Sequence, residues 1–243
     1  MAKTIKRKTN QLRPIKITRK FTDYAHGSVL IEMGQTRILC TASIESTVPS
    51  WLAGKGKGWV TAEYSMLPSS TLHRKRRSKN GHTDGRGTEI QRLIGRVLRS
   101  VVDMKKLGEN LISLDCDVLQ ADGGTRTAAI CGAYIALVDA VAFGLKEKLI
   151  PENPITQAVA AISVGIIDGK VHLDLDYILD SSADVDMNVA MTSNGEFVEL
   201  QGTGERTTFS ADELTKMITF AQKGIKEIFK LQKMAQTKRI VKG

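Results

Sequence analysis

Aromatic residues are scarce in this chain of 243 residues, where Phe, Trp and Tyr together make up 5%. That argues against base recognition dominated by extended stacking platforms. Cysteine is sparse too: Cys40, Cys116 and Cys131 are odd in number and far apart. They offer neither a disulfide framework nor a zinc-ligand spacing, and suit small core thiols in a reducing compartment. The four histidines are His26, His73, His82 and His172, and none adjoins a serine or cysteine in a nucleophile motif. No run approaches the ~18 apolar residues of a membrane span. The basic N-terminus lacks the apolar stretch of a secretory signal. The expectation is a cytoplasmic protein without a membrane partner.

What the chain has in excess is positive charge, with a formal net charge of +9 and a pI of about 9.5. Such a balance favours a polyanion, either nucleic acid or an acidic membrane surface. The excess concentrates in His73-Arg74-Lys75-Arg76-Arg77-Ser78-Lys79-Asn80-Gly81, which holds no apolar residue. A solvated loop is the plain reading; a self-repelling loop that meets RNA or DNA is the sharper one. Arg86 follows, between Gly85 and Gly87. Ile90, Leu93, Ile94, Val97, Leu98 and Val101 then recur at helical spacing, with Arg92, Arg96 and Arg99 on other faces. This pattern predicts a helix that stops at Leu107-Gly108. Upstream, Gly54-Lys55-Gly56-Lys57-Gly58 lacks Walker A spacing and reads as a flexible cationic loop.

Leu111 to Val118 alternates as a strand and runs into Asp122-Gly123-Gly124-Thr125-Arg126-Thr127. Beyond the glycines, Thr127 to Lys148 is apolar on nearly every face, as a buried central helix is. Strand, glycine turn and helix start present free N–H groups to an anion. The stretch predicts a phosphate cradle.

Pro151-Glu152-Asn153-Pro154 marks a boundary, so two halves are expected, 1–150 and 151–243. Asp168-Gly169 and Asn194-Gly195 predict hairpins, and Ser210-Ala211-Asp212-Glu213 is a capping box opening a last helix. Each half is rich in strands first and closes on a helix, so the fold class is α+β. Asp174, Asp176, Asp180, Asp184 and Asp186 crowd one stretch of the second half. Oxygen ligands without His or Cys suit magnesium, unless they are a solvated strand face. The inventory lacks a side-chain nucleophile but suits inorganic phosphate as attacking group, its repulsion from a phosphodiester offset by arginines, a helix N-terminus and a cation.

Long motifs carry a resemblance from about residue 11 to 235. They include Gln11-Leu12-Arg13-Pro14, Gly58-Trp59-Val60-Thr61-Ala62-Glu63-Tyr64-Ser65-Met66-Leu67-Pro68 and Glu89-Ile90-Gln91-Arg92-Leu93-Ile94-Gly95-Arg96. Asp115 to Thr127, Asp184-Val185-Asp186-Met187-Asn188-Val189 and Gln201-Gly202-Thr203 extend it. The sequence resembles the ribonuclease PH family. The resemblance implies a fold of two βαβ-containing halves, with mixed sheets packed with helices. It further implies a phosphate-dependent 3′→5′ exoribonuclease that trims precursor tRNA and other RNA 3′ ends, releases nucleoside diphosphates and can run in reverse. By the same resemblance Arg86, Gly124, Thr125 and Arg126 bind phosphate, Asp180 and Asp186 are catalytic and hold Mg2+, and the protein forms a hexamer, a trimer of dimers. The loop at Arg74, Arg76 and Arg77, with Arg92 and Arg96, would contact RNA. A non-catalytic RNA-binding subunit of an exosome-like ring is the alternative. Where the family usually reads Ala-Glu-Gly, this chain has Gly204-Glu205-Arg206.

Overall fold

A computed structural model of the chain describes residues 7–76 and 85–237. Strands β1 (Ile15–Arg19), β2 (Gly27–Met33) and β3 (Thr36–Glu45) form an antiparallel meander. Strand β4 (Trp59–Met66) leads through helices α1 (Gly85–Arg99) and α2 (Met104–Leu107) to β5 (Leu111–Gln120). The sheet order is β1-β2-β3-β5-β4, with β5 antiparallel to β3 and parallel to β4. Helix α3 (Thr125–Lys146) follows.

The second sheet comprises β6 (Val159–Ile167), β7 (Lys170–Leu173), β8 (Val185–Thr192) and β9 (Phe197–Gly204), in the order β7-β6-β8-β9. Every hydrogen-bonded pair in it is antiparallel. Strands β7 and β8 therefore run parallel on either side of β6, joined by helix α4 (Tyr177–Ser182). Helix α5 (Ala211–Thr237) closes the chain.

Helix α3 binds the halves together. It packs on β2 and β3 of the first sheet and on β6 of the second, while α5 covers β6 and β7. With a helix on each face, every residue of β6 is buried, which is why its sequence shows no alternation. Strand β5 has one face on the core, and Ile112, Leu114, Cys116 and Val118 alternate accordingly. One hydrophobic cluster runs through both sheets. All three cysteines are buried free thiols.

Two expectations need correction. By length and composition, Thr125–Lys146 is apolar enough to cross a membrane, although the sequence was expected to hold no such run. Its apolar surface is taken up by the sheets instead, so most of the helix is buried. The helix expected to reach Leu107 ends at Arg99. Val102 leaves it to bridge Ile155, and Asp103 caps α2 by accepting from Lys105 N and Lys106 N. Glycine and capping signals act where they stand: Asp168-Gly169 turns β6 into β7, and Ser210 and Glu213 bond reciprocally at the start of α5.

Candidate active site

The glycine turn at the end of β5 is held from beneath by a buried arginine. Arg13 donates from Nη1 to the Asp122 carbonyl at 2.6 Å and from Nη2 to the Gly123 carbonyl at 3.5 Å. Its guanidinium also pairs with Asp174, Nη2 to Oδ1 at 2.7 Å, with both side chains 1% exposed. The Arg13 amide donates to Asp174 Oδ2 at 2.7 Å. Asp174 thus accepts bonds where β7 ends, and Arg7 donates to the carbonyls of Leu173 and Asp174. The pair joins the N-terminal segment, the turn and the second sheet at one buried point.

Gly123 and Gly124 both have positive φ, 75° and 64°. A Cβ on Gly123 would stand 2.5 Å from the Asp176 backbone, and one on Gly124 2.9 Å from Arg13 Nη2. The turn is therefore pressed against the segment that opens α4, where only glycine fits. Gly124 is the N-cap of α3, and no side chain caps that end. Ala128 N makes the first intrahelical bond, to the Gly124 carbonyl at 3.0 Å. The preceding N–H groups are the ones a helix leaves without internal partners, and the dipole adds partial positive charge there.

Polar side chains converge on this end. Tyr64 Oη and Thr125 Oγ1 are 2.8 Å apart. Arg126 Nη1 donates to Gln201 Oε1 at 2.9 Å and pairs with Glu89 Oε1 at 3.4 Å. Gln201 Nε2 donates to the same Glu89 oxygen at 2.9 Å. Arg126 of α3 is thereby linked to α1 and to β9. Burial pushes the Tyr64 phenol up, opposed by the Thr125 bond and by Arg86 and Arg126. The basic loop starts here too: Ala121 N donates to the Ser70 carbonyl at 2.8 Å, tying the chain after β4 to the turn.

Facing the arginines are two carboxylates. Asp180 lies in α4 and Asp186 on β8. Burial pushes the Asp180 carboxyl up, with Arg86, Arg126 and Arg13 opposing. Asp186 is pushed up to about 6, first by burial and then by Asp180, while Arg126 opposes. Asn188 Nδ2 lies 3.5 Å from Asp186 Oδ2, and Asp186 Oδ1 is buried without a hydrogen-bond partner. A buried carboxylate oxygen with no donor, beside a second carboxylate, is poised to accept a cation. The set fits magnesium, which takes one or two carboxylates and keeps waters and phosphate oxygens as further ligands.

Of the five aspartates that crowd this stretch of the sequence, two serve the fold. Asp174 is consumed by Arg13, and Asp176 caps α4 by accepting from Leu179 N at 3.0 Å. Among the described residues no three or more His, Cys, Asp or Glu side chains gather as a metal site. Arg206 donates to the Ser181 carbonyl at 3.0 Å and the Ser182 carbonyl at 3.4 Å, holding the C-terminal end of the helix that carries Asp180. It belongs to the loop lining an adjacent cavity of about 500 Å³.

Of the residues expected to contact RNA, Arg74 and Arg76 are exposed in the loop after β4. Arg77 lies outside the described residues. Arg92 and Arg96 are exposed on α1, and Arg96 pairs with Glu199 of β9 at 3.2 Å. Arg13, Tyr64, Glu89 and Gln201 were not assigned a role from sequence. Each stands in a motif quoted above, but no local pattern announces partners so far along the chain.

The sequence models of the 3′ exoribonuclease family match this chain, domain 1 over residues 11–142 and domain 2 over residues 157–224. The chain belongs to the 3′ exoribonuclease family. Within that family it is 57% identical over 230 residues to ribonuclease PH of Corynebacterium diphtheriae, covering 94% of this chain and 95% of the relative. Ribonuclease PH of Corynebacterium kroppenstedtii is 55% identical over 233 residues, covering 96% and 92%. Among solved structures, rice (Oryza sativa) Rrp46 superposes with a TM-score of 0.76 at 20% identity, covering 93% of this chain and 96% of that one. A chain of the Archaeoglobus fulgidus exosome with RNA bound to the active site gives 0.76 at 16% identity, covering 93% and 90%. At those identities the two structures speak for the fold alone.

Proposed function

We infer that this member of the 3′ exoribonuclease family is a phosphate-dependent 3′→5′ exoribonuclease that trims precursor tRNA and other RNA 3′ ends. The observation carrying this reading is the uncapped, arginine-bearing start of α3 set opposite a buried carboxylate pair. Arg86, Gly124, Thr125 and Arg126 hold inorganic phosphate at the helix N-terminus. A phosphate oxygen attacks the phosphorus of the last phosphodiester, and the bond to the 3′ oxygen of the preceding nucleotide breaks. The products are a nucleoside 5′-diphosphate and an RNA one nucleotide shorter. The proton carried by hydrogenphosphate ends on the departing 3′ oxygen. Asp180 and Asp186 would hold a magnesium ion, whose charge stabilises that oxygen. The reverse reaction adds nucleotides.

Arg86 and Arg126 offset the repulsion between the two phosphates, which is the main obstacle to the attack. Arg74, Arg76 and Arg77, with Arg92 and Arg96, attract the RNA backbone. The working form is a homohexameric ring, a trimer of dimers, in the cytoplasm. A non-catalytic ring subunit would have no use for an unpartnered carboxylate oxygen opposite two arginines, so that alternative is not favoured. Incubation with a 3′-extended tRNA, magnesium and labelled inorganic phosphate tests the reading. Label should enter nucleoside diphosphates; nucleoside monophosphates released without phosphate would defeat it.

A further inference from the structure

Both tryptophans of this aromatic-poor chain stand together, beyond the site just described. Trp59 opens β4 and is partly buried, whereas Trp51 is 54% exposed. Their rings meet edge to face, with centroids 5.0 Å apart at 86°. The Arg99 guanidinium lies 4.5 Å from the centroid of the Trp59 ring, and its Nη1 donates to the Val60 carbonyl at 2.9 Å. Gly95, one turn earlier on α1, leaves room for this course: a Cβ there would stand 2.8 Å from Arg99 Nη1. Trp51 is thus an exposed ring braced by a second ring, which is braced in turn by a cation.

Arg99 of this brace also lines a groove. Between α1 and β4, an edge strand of its sheet, runs a cleft of about 270 Å³ lined by Gln91, Arg92, Arg96 and Arg99. Arg92, Arg96 and Arg99 fall on one helix face at four- and three-residue spacing. Arg86, in the first turn of the same helix, belongs to the candidate active site. At ~1.5 Å per residue Arg86 and Arg99 stand about 20 Å apart along the helix axis, with Arg86 on a different side of the helix from the other three. Exposed Lys55 and Lys57 follow Trp51.

We propose that Trp51 is a stacking platform for single-stranded RNA, beyond the arginine-lined groove beside α1. The inference rests on RNA being the substrate, as proposed above. Charge decides the occupant: a groove lined with arginines attracts a polyanion. An aromatic face accepts every base, which suits an exonuclease that meets every sequence. A base stacked on Trp51 holds the RNA upstream of the cleaved end while the terminal nucleotide sits between the arginines and the carboxylates.

The test uses single-stranded oligoadenylates lengthened one nucleotide at a time, with phosphate and magnesium, on the full chain and on Trp51→Ala and Trp51→Phe. For the unaltered protein KM should drop at the length that first reaches Trp51. Trp51→Ala should erase the drop, raising KM for longer RNA at least about fivefold, the low end of what one base–aromatic stack contributes. Short substrates should keep KM and kcat, and Trp51→Phe should restore the drop. An equal effect at every length, or none at any length, would overturn the platform. RNA should also quench tryptophan emission in the unaltered protein but not in Trp51→Phe, where only Trp59 remains. That readout holds even if phosphorolysis fails, so the two readings fail separately. A changed sedimentation mass in Trp51→Ala with the length dependence intact would make this face a contact between copies and sink the proposal.

Discussion

Two arginine–carboxylate pairs in this protein share a chemistry and differ in everything that surrounds them. Arg13 and Asp174 are each 1% exposed, and Asp174 also accepts from the Arg13 amide. Arg126 and Glu89 are 18% and 51% exposed, and 3.4 Å apart. The first pair has no room for a ligand and ties the glycine turn to the second sheet. The second stands at the open start of α3, where an anion from solution can take over the carboxylate's place. A buried pair is costly to break because the survivor keeps an uncompensated charge; an exposed pair contributes little and exchanges readily. One holds the site's shape, and the other can exchange its carboxylate for an anion.

Breaking each member in turn sharpens this contrast. The largest effect should come from Asp174→Ala, which strands Arg13: a loss of about 3–5 kcal/mol in urea unfolding is expected. Arg126→Ala should leave the unfolding midpoint within error and lower phosphorolysis about 10²–10³-fold, the cost of removing one preorganised donor. RNA binding should largely survive it. Neutralising Arg74, Arg76 and Arg77 together should reduce the slope of log affinity against log salt by up to about 3; an unchanged slope would mean the loop does not touch RNA. Glu89→Gln should have the smallest effect, at most about 1 kcal/mol on stability, and should lower KM for phosphate by removing the competing carboxylate. A rise in that KM would show that Glu89 supports the phosphate site instead of filling it.

How far the sequence spoke for this arrangement depended on distance along the chain. The hairpins at Asp168-Gly169 and Asn194-Gly195 and the capping box at Ser210 are local, and adjacent residues encode them fully. Helix α3 was legible because an all-round apolar pattern has few other uses. Helix α4 was not: its six residues are too few to show a period, although it carries Asp180. The fates of Asp174 and Asp176 were equally hidden. Five nearby carboxylates look alike in sequence, and only a partner 161 residues away, Arg13, distinguishes the structural one. The overlong reading of α1 has a similar cause, since Val101 continues the apolar spacing while Val102 is captured by Ile155. Patterns within one element were readable; bonds between elements were not.

The proposed function divides the site in two, where arginines would hold phosphate on one side and carboxylates the cation on the other. Titrating inorganic phosphate into the protein in magnesium chloride, without RNA, tests it most directly by calorimetry. Phosphate binding should be lost in Arg126→Ala and retained in Asp186→Asn, although phosphorolysis should be impaired in both. Retention in Arg126→Ala, or equal loss in both, would contradict the division.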